Sequence, residues 1–427
     1  MDSRKGSEKV KHIGFVSTRL AGTDGVSLEA DKWASVMEAE GFKCFYFAGE
    51  LDSPQNRSYL AEEAHFTHPD IEEINRRCFG VTTRERSTSQ KVERLKSRLK
   101  DHLYAFIKEC RIDLLIPENA LTIPMNIPLG LAITEVLVET GIPAVAHHHD
   151  FYWERDRFIT NAVPDYLNTA FPPNLHSIQH TVINSFADEQ LSLRTGISAF
   201  ICPNVMDFDN PPPPVDDYAS DVREALGVEE DELFVLQPTR VVRRKGIEHA
   251  IELVHRLGMK AKLVISHASG DEGDTYEQRL KEYSKLMNVE TVFVPDIINE
   301  KRELTDDGRK VYTLGDVYPH ADLVTYPSLI EGFGNAFLEA IYYSKPIVVN
   351  TYSIYTKDIK PKGFSAIELD GYVTQASVEK TRKVLEDPEL RKRMVEQNYD
   401  VAKKFFSYTF LRRRLKSYMI EHSWFNG

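Results

Sequence analysis

The segment Ser328-Leu329-Ile330-Glu331-Gly332-Phe333-Gly334-Asn335-Ala336-Phe337-Leu338-Glu339 decides how this chain folds. Residues 323–327 ahead of it, L-V-T-Y-P, read as a short buried strand, and 336–343 behind it read as the start of a helix. A glycine-rich strand-to-helix turn brings backbone N–H groups to a ligand, and phosphate or a sugar hydroxyl suits that place. Two carboxylates, Glu331 and Glu339, stand on either side of the turn's glycines. Upstream, Arg240 and Lys245 precede Gly246, after the strand-like run L-F-V-L-Q-P-T. Fixed cations at a helix start can clamp a diphosphate and stabilise charge that builds on a leaving group. Together these features imply an enzyme that handles a phosphorylated or nucleotide-linked ligand.

Working outward, the same alternation recurs on both sides. Residues 233–237, 263–266, 291–294, 323–326 and 346–350 are candidate strands, with helical patterns at 247–257 and 276–286 between them. Nearer the N-terminus, strands are expected at 12–17, 42–48, 113–117, 143–146 and 199–202. Helices are expected at 28–40, with Trp33 and Val36 inward, and at 91–109. The loop 19–27 carries Gly22 and Gly25 but lacks a G-x-G-x-x-G dinucleotide fingerprint. Between the two series lies F-D-N-P-P-P-P-V-D-D at 208–217, and four prolines cannot sit inside an element. The reading is α/β with two doubly wound, Rossmann-like domains facing each other across a ligand cleft. The first spans 1–206, the linker 207–217 and the second 218–405. The tail to residue 427 is largely helical. Residues 297–311, polar and charged, read as a mobile loop.

A chain of 427 residues is too long for one comfortable core, which also favours two domains. Apolar content of 42% is ordinary for a globular protein, and the net charge of −12 argues against a general nucleic-acid binder. Four scattered cysteines, Cys44, Cys78, Cys110 and Cys202, lack metal-ligand spacing and suit a reducing compartment. The absence of a signal-like start or a long apolar run leads to an expected cytoplasmic location. Lys91, Arg94, Lys96, Arg98 and Lys100 form a basic helix face that could lie on an acidic membrane, although such faces are more often simply solvated.

His147, His148, His149 and Asp150 close an apolar strand, where neighbouring side chains point to opposite faces. One histidine is expected to face the cleft, and Asp150 could orient it or an acceptor hydroxyl. No further Cys/His cluster supports a metal, so none is expected.

On these residues the chain resembles the retaining glycosyltransferases of family 4 with the GT-B fold. These form a superfamily with glycogen, sucrose-phosphate and trehalose synthases. The resemblance rests on Arg240…Lys245-Gly246 and Ser328…Glu331-Gly332-Phe333-Gly334…Glu339-Ala340. Weaker matches are Gly25-Val26, His149-Asp150, Pro203-Asn204 and the segment 405–410, after which a last helix, 406–427, would pack back on the first domain. It implies that Arg240 and Lys245 bind a donor diphosphate and that Glu339 holds the ribose. It also implies that Glu331 and the backbone of Gly332, Phe333, Gly334 and Asn335 meet the transferred sugar. His149 would contact a donor sugar hydroxyl, and Gly25 would admit the diphosphate. The implied chemistry is front-face transfer with retention, in which the leaving phosphate takes the acceptor proton and no metal or other cofactor takes part. Two departures stand out. Ser27 takes the place of an acid of many relatives, which alters its acceptor or donor contact, and Thr239 stands where relatives often carry glycine; Ser27 and Asp150 are the residues assigned to the acceptor side.

The sequence thus points to a hexose transfer from a nucleotide sugar, such as UDP-glucose or GDP-mannose, to a small polar acceptor. A sugar, a sugar phosphate or a glycerate-type acid would serve. Partners are small molecules, with no nucleic acid; an oligomer and weak peripheral membrane contact through 91–100 stay open. The alternatives are a membrane-lipid acceptor, a sugar-nucleotide epimerase, and a catalytically silent sugar-nucleotide binding protein.

Overall fold

Short runs of continuously apolar residues build parallel strands buried on both faces. The structure, a computed structural model, describes residues 12–22, 24–267, 274–294 and 296–421. The chain divides into two compact units. One comprises the chain up to Asn204 together with the segment from Leu411, and the other runs from Val205 to Phe410.

The first unit holds β1 (His12–Val16), β2 (Lys43–Ala48), β3 (Ser58–Leu60), β4 (Leu114–Pro117), β5 (Ala144–His148), β6 (Ile178–Val182) and β7 (Phe200–Ile201). They form one parallel sheet in the order β3-β2-β1-β4-β5-β6-β7. Ile13 of β1 lies beside Cys44 on one flank and Leu114 on the other. The strand order reverses direction between β1 and β4. A crevice opens outside the carboxyl ends of the strands at such a switch point. Ser17 and Glu118 are the first residues beyond those two ends.

Helix Arg86–Cys110 begins five residues before the sequence pattern suggested and buries Val92, Leu95, Leu99, Leu103 and Phe106. Its basic face is not an open patch. Lys91 pairs with Asp70 and Glu73, Lys96 with Glu93 and Glu135, and Lys100 with Glu135 and Glu139. Three of the five cations on this face are therefore tied to acids of this helix and of helices Pro69–Cys78 and Ile127–Thr140. Among the described residues no helix is long and apolar enough to cross a membrane.

In the second unit come β8 (Leu233–Gln237), β9 (Ala261–Ile265), β10 (Glu290–Phe293), β11 (Glu303–Leu304), β12 (Lys310–Val311), β13 (Leu323–Tyr326), β14 (Ile347–Asn350) and β15 (Ile367–Leu369). Six of them form a parallel sheet in the order β10-β9-β8-β13-β14-β15, whose switch point falls between β8 and β13. Helix Ile247–Leu257 covers it with Ile247, Ile251, Leu253, Val254 and Leu257. Each such burial is worth about 1.5–3 kcal/mol relative to exposure.

The expectation of a loop at 297–311 is corrected here. β11 and β12 pair antiparallel, Arg302 is bound by Asp216 and Asp316, and Lys310 is bound by Asp221. Charges that looked solvated in sequence are neutralised by acids up to about ninety residues away. Residues 207–217 are likewise anchored at their start, not a free spacer. Phe208 is buried against Tyr342 and Tyr399, and Asp209 accepts a hydrogen bond from the Thr409 amide at 2.7 Å.

The chain's last helical stretch is broken at Ser407 into Pro388–Phe406 and Tyr408–Glu421. Phe406 packs on Phe333 and Phe364, whereas Leu411, Leu415 and Tyr418 are buried in the first unit. There Tyr418 stacks on Phe200 at 4.5 Å, and Arg412 and Lys416 pair with Glu40.

Candidate active site

At the second sheet's switch point the exits of β8 and β13 touch. The chain leaving β8 makes a tight turn, Arg243–Lys245, and then Gly246 adopts φ 59° before helix Ile247–Leu257 begins. A Cβ at Gly246 would lie 2.5 Å from the Pro327 carbonyl oxygen. Both the left-handed backbone and the close approach therefore require glycine. The Leu329 amide donates to the Arg244 carbonyl at 2.8 Å, which pins the second exit to the first.

This contact brings Lys245 and Glu331 into an ion pair, with Arg244 Nη1 3.2 Å from the other carboxylate oxygen. The side chains of Lys245 and Glu331 are only 11% and 9% exposed. Burial pushes the Lys245 ammonium below its ordinary pKa; Glu331 opposes the shift, and Arg244 and Arg240 add to it. For Glu331, burial raises the carboxyl, but Lys245 and Arg244 outweigh it and hold the group below the usual carboxylate range. One carboxylate thus faces two cations, with Arg240 close enough to Lys245 to act on it, and the surplus positive charge is what a diphosphate would neutralise.

The glycine turn that follows is held from behind. Gly334 takes φ 122°, and a Cβ there would meet the Tyr352 hydroxyl at 2.5 Å. That hydroxyl donates to the Phe333 carbonyl at 2.8 Å. Phe333 itself is buried on Phe406, so its ring belongs to the core and only its backbone is left for a ligand. Helix Asn335–Tyr342 starts directly after Gly334 and carries Glu339, which accepts a hydrogen bond from Tyr318 at 2.8 Å. Arg240 is exposed and Gly332 lies at the surface of the turn. Thr239 is buried and accepts from the Gln237 side-chain amide at 2.8 Å, while Thr325 of β13 donates to the Gln237 oxygen at 2.8 Å. The hydroxyl at 239 thus completes a polar bridge under the switch point.

The remaining expected residues belong to the first unit. Period-two alternation sends His147 and His149 to one face of the sheet and His148 to the other. His148 meets His180 at 2.8 Å, and His180 Nε2 donates to the Pro173 carbonyl at 3.1 Å, so His148 is the donor to His180. On the opposite face, Glu118 Oε2 lies 2.9 Å from His147 Nδ1 and 3.3 Å from His149 Nε2. Trp33 stacks on His147 at 4.1 Å. Burial pushes His147 down to about 4 and Glu118 up to about 7. His149 is lowered by burial and by His147, with Glu118 opposing. Glu118, His147 and His149 are the side chains here with the atoms a metal ion could use, all within 4.8 Å of one another. Hydrogen bonds join those same atoms.

Gly25 is the first residue of helix Gly25–Ala39, which begins three residues before the expected start. Asp24 caps it, accepting from the Val26 and Ser27 amides at 3.0 and 3.2 Å and from the Ser27 hydroxyl at 2.7 Å. Ser27 is therefore buried in the cap, and the acid at this loop is Asp24. Asp150 accepts from the Asn119 amide at 2.8 Å and from Arg155 Nε at 2.6 Å. Sequence reading passed over Asp24, Glu118, Asn119 and Arg155. For Glu118 the available signal was position, because a carboxylate immediately after a buried strand of a parallel sheet sits at a carboxyl end; Asp24, Asn119 and Arg155 carry no such signal.

The second sheet's switch point is shaped by glycines and lined by cations, the first sheet's is lined by histidine and carboxylate, and both suit group transfer by an α/β enzyme. The model for glycosyl transferases group 1 matches residues 219–401. A mannosylglucosylglycerate synthase of Petrotoga mobilis is 32% identical over 84% of this chain and 86% of its own length. A second, from Thermotoga maritima, is 31% identical over 92% and 96%. The solved structure of sucrose-phosphate synthase from Thermosynechococcus elongatus superposes with a TM-score of 0.66 at 14% identity, covering 96% of this chain and 98% of that one. The chain belongs to the group 1 glycosyl transferases: it is a retaining, nucleotide-sugar-dependent hexosyltransferase of GT-B fold.

Proposed function

We propose that this enzyme transfers a mannosyl group from a nucleoside-diphosphate sugar to a glucosylglycerate-type acceptor in the cytoplasm. The observation that carries the reading is the extended similarity, above 30% identity over most of both chains, to two synthases named for a mannosyl-glucosyl-glycerate product. The site geometry supports it. Lys245 and Arg240 take the diphosphate, whose oxygens compete with Glu331 for the ammonium. Arg244 then keeps Glu331 in place to accept hydrogen bonds from the transferred sugar. Glu339, oriented by Tyr318, takes the ribose diol. As the glycosidic bond lengthens, negative charge grows on the leaving phosphate, where the surplus cations stabilise it most. That phosphate accepts the acceptor's hydroxyl proton, and attack from the same face retains configuration. His149, held by Glu118, contacts a hydroxyl of the donor sugar. The cations do the neutralising that a metal does elsewhere, so none is required in this scheme.

The experiment is a donor and acceptor matrix of GDP-, UDP- and ADP-hexoses with glucosylglycerate, glycerate and 3-phosphoglycerate. Mass and anomeric NMR spectra report the product. An α-linked mannosylglucosylglycerate from GDP-mannose is expected, and product from another sugar class alone would overturn the reading.

A further inference from the structure

The first sheet's switch point opens into a cavity of about 160 Å³ that includes Arg19, Asp24, Phe66, Asn119 and Arg155 in its lining. It lies wholly within the first unit. The size suits a small polar molecule, well below the roughly 300–1,000 Å³ of a drug-sized pocket. Two guanidiniums line this one small cavity, and each has an acid of this chain beside it.

Each guanidinium is anchored along part of its donor set. Arg155 places Nε and Nη2 on a single oxygen of Asp150, whose other oxygen accepts from Asn119 at 2.8 Å. Arg19 places Nη2 on Asp24 at 3.0 Å and lies 5.6 Å from the centre of the Phe66 ring. A guanidinium carries five N–H donors in a rigid fork. Asp150 and Asp24 therefore fix the forks without exhausting them. Anchoring also removes much of the rotamer entropy that binding would otherwise cost.

We propose that this cavity is an acceptor subsite that recognises a carboxylate through Arg19 and Arg155. The ligand class is a hydroxylated organic acid, such as the glycerate end of a glycosylglycerate. The inference rests on the glycosyltransfer reading above and adds to it the groups that select the acceptor. Arg–carboxylate pairs are the bidentate contacts that reject a neutral isostere most strongly, since the isostere leaves the forks without a charged partner.

The test uses the full chain and two probes, glucosylglycerate and its carboxamide. Calorimetry gives affinity, and initial rates with the nucleotide sugar give KM and kcat. In Arg155→Gln and Arg19→Gln, affinity for the acid is expected to fall 10- to 100-fold while that for the carboxamide changes less than threefold. The kcat for the acid should stay within a few-fold. Arg155→Lys should recover part of the loss, because one charge returns without the fork. Equal losses for acid and carboxamide, no loss in either variant, or a wild type that fails to bind the acid would overturn the inference. A wild type that binds the acid with this arginine dependence but transfers no sugar to it would overturn the proposed reaction and leave the carboxylate subsite standing. Thermal melting of each variant reports any loss of fold separately.

Discussion

Lys245→Met separates the catalytic from the structural weight of the ion pair at the second switch point. Met keeps the length and apolar stem of lysine and deletes only the charge. Breaking a buried pair by removing one partner commonly costs about 3–5 kcal/mol, because the other charge is stranded. Here Glu331 is not stranded, since Arg244 Nη1 remains 3.2 Å from it. Lys245 itself is destabilised as an ammonium by burial and by two neighbouring cations. The stability loss should therefore fall below that range, at about 1–2 kcal/mol. In the transition state the balance reverses, because the leaving diphosphate gains charge where Lys245 stands. Loss of one such donor costs about 10²–10³ in kcat, or roughly 2.7–4 kcal/mol. The assay is steady-state transfer with the nucleotide sugar, paired with urea unfolding of the same preparation. A folded variant whose kcat/KM stays within threefold of wild type would refute the assignment. So would a drop in activity matched by an equal drop in stability.

The other predictions draw on the same geometry. Glu331→Ala should lower kcat at least as severely as Lys245→Met with the fold retained, read by steady-state transfer and circular dichroism. His149→Ala should lower kcat more than nucleotide affinity, and an equal loss in nucleotide binding by calorimetry would count against contact with the sugar. Gly246→Ala forces a Cβ against the Pro327 oxygen in a left-handed backbone, so the melting temperature should drop by an amount equivalent to at least about 2 kcal/mol. Glu118 has a folded pKa of about 7 against an ordinary value of 4.5, so its contribution is full below pH 4.5 and is lost as pH rises through 7. The buried histidines act in the opposite sense, so the readout is the difference in urea-unfolding free energy between wild type and Glu118→Gln, which should shift against wild type by at most about 3 kcal/mol from pH 5 to 8.

The elements that sequence reading located share one property, namely that their pattern is local. β8 and β13 are mainly apolar runs, broken only by Gln237 and Thr325, and the glycine turn between Glu331 and Asn335 announces itself. β6 escaped because I-Q-H-T-V carries polar residues whose satisfaction is remote: His180 pairs with His148, thirty-two residues earlier. β3 and β15, three residues each, are too short for any period to show. The hairpin at 303–311 looked disordered for the same reason that β6 looked unlike a strand. Its arginine and lysine are neutralised by acids distant in sequence. At the site, the charged residues around Gly246 and Gly332 were legible, whereas Asp24, although beside Gly25, and Glu118 were not. Their significance comes from strand order, which sets the switch point and is not written in any single segment.

The bridge of Thr239, Gln237 and Thr325 has a historical consequence. The resemblance drawn from the sequence puts glycine at the position of Thr239 in many relatives, yet in this chain Thr239→Gly would leave the buried Gln237 amide at the end of β8 without its acceptor. An orphaned buried donor costs about 1–3 kcal/mol, while replacing both partners with apolar groups is nearly neutral. The glycine state is therefore costly when introduced by a single step and cheaper once position 237 has changed. Hybrids that graft a glycine-bearing loop from a relative should carry its residue 237 along, since the order of substitutions, and not the final set alone, decides which intermediates fold.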